Sequence, residues 1–424
     1  MSRSRETTSL ACSSKKASRA RCSEPRSGTW WPFSSTSSDP RVRTPRLLLA
    51  LTAHGHRSAF ARGLPVAVNR RRAGYPQPTS IGQDQTGLVS ERRLRVGLVT
   101  EPAGIENPYM HGAYLGLERA VRELGIRGRA LTPAPKEGYV PSLSLLARQK
   151  YDLVIGFGFQ AGLAARGRGG SLSRDDPPRA QLTALSYFAV AAIDRVATEF
   201  PETRFASIDF AHDDLAHRPK NVLGIVFREE QAGYLAGHLA ALVLTLSPGE
   251  EVISSVGGQR VPAVERFIAG YQAGARGANP RVTTLNGYTD SFLDPVKGRS
   301  VALSQIAKGS RVVFQVASAC GLGALEAAKE RGIWGIGVDV DQSHLGPHVL
   351  TSAVKRLDVA VFDTIEALAR GTLETGRTYR FSLRNRGVGL GTISVAVPRS
   401  LKAEIEDVRA EIVAGKIPIA SSVT

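Results

Sequence analysis

From Leu94 onward, short apolar runs alternate with longer stretches of helical period. The pattern predicts strands over Leu94–Thr100, Leu153–Gly156 and Phe205–Ile208, with helices near Tyr109–Leu124 and Ala189–Phe200. A second set follows: strands over Val222–Val226, Val252–Val256, Arg281–Leu285, Val312–Gln315, Ile333–Val338 and Val349–Val354. Helices near Glu230–Leu246, Val261–Ala275, Pro295–Lys308 and Leu322–Arg331 lie between them, and a helix-like pattern follows Lys355. Short apolar runs of this kind read as buried strands, and strand–helix alternation builds parallel sheets with helices on both faces. The strands are too many for one small sheet. The expected fold is therefore α/β, with two doubly wound parallel-sheet lobes joined by a hinge. The first lobe is expected to take about 94–215 and about 350–380, the second about 221–345 and the C-terminal segment. Arg166–Thr183, rich in Gly, Pro and Arg, reads as a surface insertion in the first lobe.

The first 93 residues break the pattern. Rich in Ser, Arg, Pro and Gly, they read as a disordered or non-native leader. Arg41, Arg43 and Arg46 precede Leu47–Ala53, a weak echo of a secretory signal that ends before His54. The leader also explains the charge. The chain carries a formal +17, a value that by itself suggests a nucleic-acid partner. Residues 1–93 hold 17 Lys/Arg against 5 Asp/Glu, so the remainder is only +5 and no nucleic-acid partner is expected. Cys12, Cys22 and Cys320 form no CxxC pair and no metal-ligand spacing, and no apolar run is long enough to span a membrane.

Candidate chemistry gathers at strand ends. Ile333–Val338 ends in Asp339, and Val349–Val354 ends in Lys355. Open α/β sheets hold ligands beyond the carboxyl ends of their strands. One acceptor-only and one donor-only group there can grip a hydroxyl-rich ligand such as a ribose, or can form a plain structural ion pair. Phe157 and Phe159, in a Gly-spaced turn, offer either a stacking surface or packing under the loop. Phe227 offers the same choice. Gly257 and Gly258 follow a strand and precede a helix, so their bare backbone can approach a ligand, although no GxGxxG is present. Asp209, at the end of Phe205–Ile208, reads as a cap for the next turn. Glu229 and Glu230 read as acidic residues favouring a helix start. The histidines lack metal spacing, Ser318 lacks a GxSxG elbow, and no nucleophile–base set or Walker motif is present.

Several segments, in order, resemble the basic membrane protein family, the PnrA-like nucleoside-binding proteins of ABC importers. They are DLVIGFGF (Asp152–Phe159), NVLGIVFREEQAGYLAGHLAAL (Asn221–Leu242), VGGQRVPAVERFIAGYQAG (Val256–Gly274), YTDSFLDPVKG (Tyr288–Gly298) and GVDVDQ followed by VLTSAVKRLDVAVFD. The resemblance implies a type I periplasmic-binding-protein fold that closes on its ligand by hinge motion. It implies no catalysis, no cofactor and no metal; its partners are a nucleoside-like small molecule, such as a purine nucleoside, and an ABC permease, with the protein acting as a monomer. The family motif resembling D-K-S-F-N aligns with Glu106–Met110, so Tyr109 keeps the aromatic that stacks on a base, a contact worth on the order of 1–3 kcal/mol. Glu106 lengthens the acidic residue, and Met110 replaces the amide. The ligand-binding set expected from the residues and the resemblance together is Glu106, Tyr109, Phe159, Phe227, Gly257, Gly258, Asp339 and Lys355, the resemblance placing the last two on ribose hydroxyls. Members of the family usually carry a lipid-anchored cysteine where this chain has His54. The expected location is the cell envelope, reached as a membrane-associated or extracytoplasmic protein. The alternative is a cytoplasmic ligand-responsive regulator of the same fold.

Overall fold

The structure, a computed structural model, describes residues 92–101, 104–134, 138–157 and 189–421. The leader with its signal-like segment and His54, Phe159, and the Arg166–Thr183 insertion lie outside the described residues.

The first sheet is built from β1 (Arg95–Val99), β2 (Arg127–Leu131), β3 (Leu153–Phe157), β4 (Arg204–Ile208), β5 (Val222–Phe227) and β11 (Arg377–Phe381). Its order is β11-β5-β4-β3-β1-β2, and every pairing is parallel. The second sheet contains β6 (Val252–Gly257), β7 (Thr283–Tyr288), β8 (Val312–Val316), β9 (Trp334–Asp339), β10 (Val349–Lys355) and β12 (Val388–Leu390). It runs β12-β10-β9-β8-β6-β7 and is parallel except for antiparallel β12. The central strands β3, β5, β6, β8 and β10 are buried along their whole length, as strands covered on both faces must be.

Helices supply that cover. Against the first sheet pack α1 (Pro108–Leu124) on one face and α2 (Val140–Arg148) and α3 (Ala189–Glu199) on the other, with Met110 and Leu117 of α1 in one core and Leu143 and Ile193 in a second. The second sheet is covered by α4 (Glu229–Leu244) with α5 (Pro262–Ala278), and by α6 (Pro295–Ile306) with α7 (Ser318–Glu330). Helix α8 (Leu357–Ala369) packs on α1, and α9 (Arg399–Val413) on α4. The α4–α5 crossing is close because glycines line it: a Cβ on Gly237 would lie 1.8 Å from the Tyr271 carbonyl oxygen.

The two-lobed, doubly wound architecture matches the sequence expectation, but the lobe boundaries do not. Expected in the second lobe, β5 lies inside the first sheet, between β4 and β11; expected in the first, β10 lies inside the second, between β9 and β12. The chain crosses between sheets at Arg228, at Arg356 and again between β11 and β12. The stretch at residues 209–221, where the expected boundary falls, connects two neighbouring strands of one sheet. Two of the three crossings occur where a strand gives way to a helix, which leaves no composition signal; the third lies in the turn between β11 and β12.

Candidate ligand-binding site

In each sheet the strand order reverses beside one strand, β1 in the first and β6 in the second. Such switch points open a crevice beyond the strand ends. The groups that follow β1, β4, β9 and β10 form a connected polar site there. Its centre is Lys355, the last residue of β10 and buried. The Lys355 Nζ lies 2.5 Å from Asp209 Oδ1 and 3.0 Å from Glu229 Oε1. Asp209 follows β4 in the first lobe, whereas Glu229 opens α4 after the first crossing. On the far side of Asp209, the Tyr109 hydroxyl donates to Oδ2. On the far side of Glu229, Arg266 Nε of α5 donates to Oε2 over 2.6 Å. Tyr109, Asp209, Lys355, Glu229 and Arg266 thus form one string from lobe to lobe, with signs that alternate and cancel.

The string has an apolar floor. The Lys355 Nζ sits 4.8 Å from the centroid of Phe227 and 5.4 Å from that of Tyr109, distances at which a ring face attracts a cation. Tyr109 meets Phe157 edge-on at 5.6 Å, and Phe227 stacks on Phe381 at 5.3 Å. Burial opposes the charge on Lys355, but Asp209, Glu229 and Asp339 outweigh it and hold the ammonium above its ordinary value. Burial and then the neighbouring Asp209 push the Tyr109 hydroxyl well above its usual range, so it stays a donor.

Two carboxyl groups remain outside the balanced string. Asp339 ends β9, paired in register with Val354 beside Lys355. It is partly open to the crevice yet surrounded by protein, and burial raises it to about 7; Lys355 opposes that shift, and Asp209 and Glu229 add to it. Glu101, just after β1, is likewise raised to about 7 by burial and then by Asp209 and Asp339. Its Oε1 has no hydrogen-bond partner. Both are acceptors with no cation of their own among the described residues. Cavities flank the string on two sides. One of about 720 Å³ is bounded by Asp209, Arg228 and Arg266, the other of about 510 Å³ by Asp339, Lys355 and Arg386.

The sequence-derived candidates separate clearly on this geometry. Asp339, Lys355 and Tyr109 come together. Phe227 touches them from the core, 2% exposed. Glu106 is exposed in the turn before α1. Gly257 and Gly258 lie at the end of β6, where a Cβ on Gly257 would meet Tyr288 at 2.6 Å and one on Gly258 would strike Phe292. The Gly258 amide donates to the Val316 carbonyl, so aromatic packing and sheet pairing account for both glycines. Met110, aligned with the family's amide, is buried in the first core. An amide does stand at the site three residues earlier: Asn107 caps α1 by accepting from the Tyr109 amide.

Glu101, Asp209 and Glu229 were missed as site residues. Asp209 caps no turn; its φ of +68° turns the chain out of β4, and its carboxylate takes Tyr109 and Lys355. It ends a buried apolar run just as Asp339 does, so the same sequence pattern points to it. Glu229 does open a helix, but its carboxylate lies buried between Lys355 and Arg266.

Comparison with known proteins bears on the family and the fold. A family model for PnrA-like ABC transporter substrate-binding proteins matches residues 182–422. Basic membrane protein D of Borreliella burgdorferi is 37% identical over 198 residues, which cover 46% of this chain and 57% of that protein. An uncharacterized lipoprotein of Pyrococcus horikoshii is 30% identical over 289 residues, covering 65% of this chain and 63% of that one. The chain thus spans less than two thirds of each relative's length. A crystal structure of an ABC transporter solute-binding protein from Aeropyrum pernix aligns with a TM-score of 0.62 and 24% identity, over 78% of this chain and 94% of that one; at that identity the likeness is one of fold. Because the family model covers more than half of the sequence, the chain belongs to the PnrA-like basic membrane protein family of ABC transporter substrate-binding proteins.

Proposed function

We propose that the protein captures a nucleoside, a purine nucleoside in the first instance, between its lobes and presents it to an ABC permease. The observation that carries this reading is the pair of carboxyl groups left over from the charge-balanced string. Asp339 and Glu101 need donors, and a ribose diol supplies neutral ones. An ammonium has three N–H donors. Asp209 and Glu229 are ion-paired with Lys355, and an N–H left over from those pairs serves a sugar oxygen beside Asp339. A neutral, hydroxyl-rich ligand suits this set better than an anion, which Asp339 and Glu101 would repel. Tyr109 then provides the aromatic edge of the base end. Ligand contacts from both lobes favour the closed form, and differential affinity for that form drives closure.

Calorimetric titration of the full-length protein tests the ligand class. Inosine, guanosine and adenosine are expected to bind, and free ribose or arabinose far more weakly. Tight sugar binding without any nucleoside response would overturn the assignment. No helix among the described residues is long and apolar enough to cross a membrane, so envelope association is proposed to come from an anchor or from the permease. Cell fractionation with N-terminal sequencing checks this; a full-length cytosolic protein with Met1 intact contradicts it.

A further inference from the structure

A second link joins the lobes away from the charged string. The Asn107 Nδ2 donates to Ser318 Oγ over 3.1 Å, between residues 211 positions apart. Asn107 is the N-cap of α1 in the first lobe, and Ser318 is the first residue of α7 in the second. Each follows a strand of its own sheet, β1 and β8, so the bond spans the facing ends of the two sheets. One side chain does two things here: Oδ1 accepts from the Tyr109 amide while Nδ2 reaches across. The backbone at Ser318 is also telling. Its φ of +51° lies in the left-handed region, which glycine enters without strain and serine does not. A serine there needs compensation, and strain of this type gathers at active sites, ligand clamps and switch regions. The compensation on view is the hydroxyl's bond to Asn107.

We propose that Asn107 and Ser318 are positioning residues for ligand capture, forming a latch that holds the lobes closed without touching the ligand. The idea rests on the cleft being a binding site that closes. It predicts that the latch sets how long a ligand stays, because opening must break this bond before release. Both halves belong to helix starts that also carry site residues: Tyr109 lies two residues beyond Asn107 and donates to Asp209. Closing the latch therefore fixes the first turn of α1 while Tyr109 is in place.

Two variants separate a latch from a local structural role. Ser318→Gly removes the hydroxyl and relieves the left-handed strain. Asn107→Ser keeps a good helix N-cap but is too short to reach across. With inosine or guanosine on the full-length protein, each is expected to raise the dissociation rate about 3- to 10-fold, the worth of one neutral hydrogen bond. The double variant should do no more than either single one, since both break the same contact. Ser318→Gly should keep or raise the thermal midpoint while release quickens, a combination that a purely structural role does not give.

A readout without ligand keeps the latch distinct from the nucleoside assignment. Hydrogen exchange of the unliganded Ser318→Gly protein should quicken both at residues 318–322 and in the other lobe at residues 107–112. If exchange changes only around residue 318, the latch is refuted whatever the ligand proves to be. If both segments open but no nucleoside binds, the latch stands and the ligand assignment falls. Unchanged nucleoside dissociation in both variants also refutes the latch.

Discussion

The lobes are joined in two chemically opposite ways. Near the crossings, Lys355 is buried and ion-paired to Asp209 and Glu229, with Arg266 behind. At the ends of β1 and β8, one neutral hydrogen bond joins Asn107 to Ser318. A buried charge is expensive to strip of its partners, because the unpaired ion keeps its desolvation cost. A neutral bond between half-buried groups exchanges for water at a cost of about 1 kcal/mol. On the proposed function, the first connection serves as a fixed pivot, and the second as a contact made and broken on each binding cycle. A receptor needs both: one to keep its lobes in register, the other to let the ligand go.

Removing the pivot's cation should have the largest effect. Lys355→Met keeps most of the side-chain volume but leaves Asp209 and Glu229 facing each other in the interior. A loss of about 3–5 kcal/mol in unfolding free energy is expected, the range for stripping one partner from a buried pair, together with loss of nucleoside binding. Denaturant unfolding and calorimetry measure the two effects. A variant as stable as the parent would show that Lys355 is not a structural pivot, and unchanged affinity would remove it from the site.

The pH dependence is next in size. Asp339 and Glu101 have ordinary values of 3.8 and 4.5, and in the folded protein both are raised to about 7. Between those limits the folded state keeps protons that the unfolded chain has released. Their contribution is therefore present at low pH and is lost as pH rises toward 7. The two groups repel each other and titrate as a coupled unit. The unliganded protein should lose about 2–3 kcal/mol between pH 5 and pH 8, after discounting for partial exposure of both groups. Nucleoside affinity should move the opposite way, because an ionised carboxylate accepts from the sugar hydroxyls more strongly than a protonated one. Affinity that is flat across this range would exclude both carboxyl groups from ligand contact.

The same contrast between interior and periphery governs how much could be read from the sequence. Central strands such as β5 (VLGIVF) and β8 (VVFQV) are buried throughout and almost wholly apolar, and were legible. The edge strands of the first sheet were not: β2 is RGRAL and β11 is RTYRF, largely exposed and each with two arginines, so no apolar run marks them. Strand β12 has three residues, and α9 buries only Ile405, Val408 and Ile412. The site divides in the same way. Asp339 and Lys355 could be found because each ends an apolar run. Their partner across the lobes, Asp209, ends one too, but its pairing with a residue 146 positions later depends on where the chain changes sheets. No local pattern contains that information. Asn107 and Ser318 are single polar residues at helix starts, and only their juxtaposition distinguishes them.

The smallest effect is expected where the pivot meets the proposed base end of the cleft. Tyr109→Phe deletes one hydroxyl and retains the ring that packs on Phe157. Asp209 loses its Tyr109 donor but keeps Lys355, so the cost should be about 1–2 kcal/mol, typical of a hydrogen bond to a charged acceptor. A ring that still stacks should leave nucleoside affinity within about threefold, since stacking depends on the π-face and not on the hydroxyl. Tyr109→Leu, which removes the aromatic face as well, should weaken binding by a further tenfold or more on the same account. The two variants divide the residue between its places in the molecule. Equal affinity losses in Phe and Leu would mean that Tyr109 serves only as a donor to Asp209, making it part of the pivot and not of the ligand's surroundings. A loss confined to Leu would put the ring against the ligand and leave the hydroxyl to the pivot.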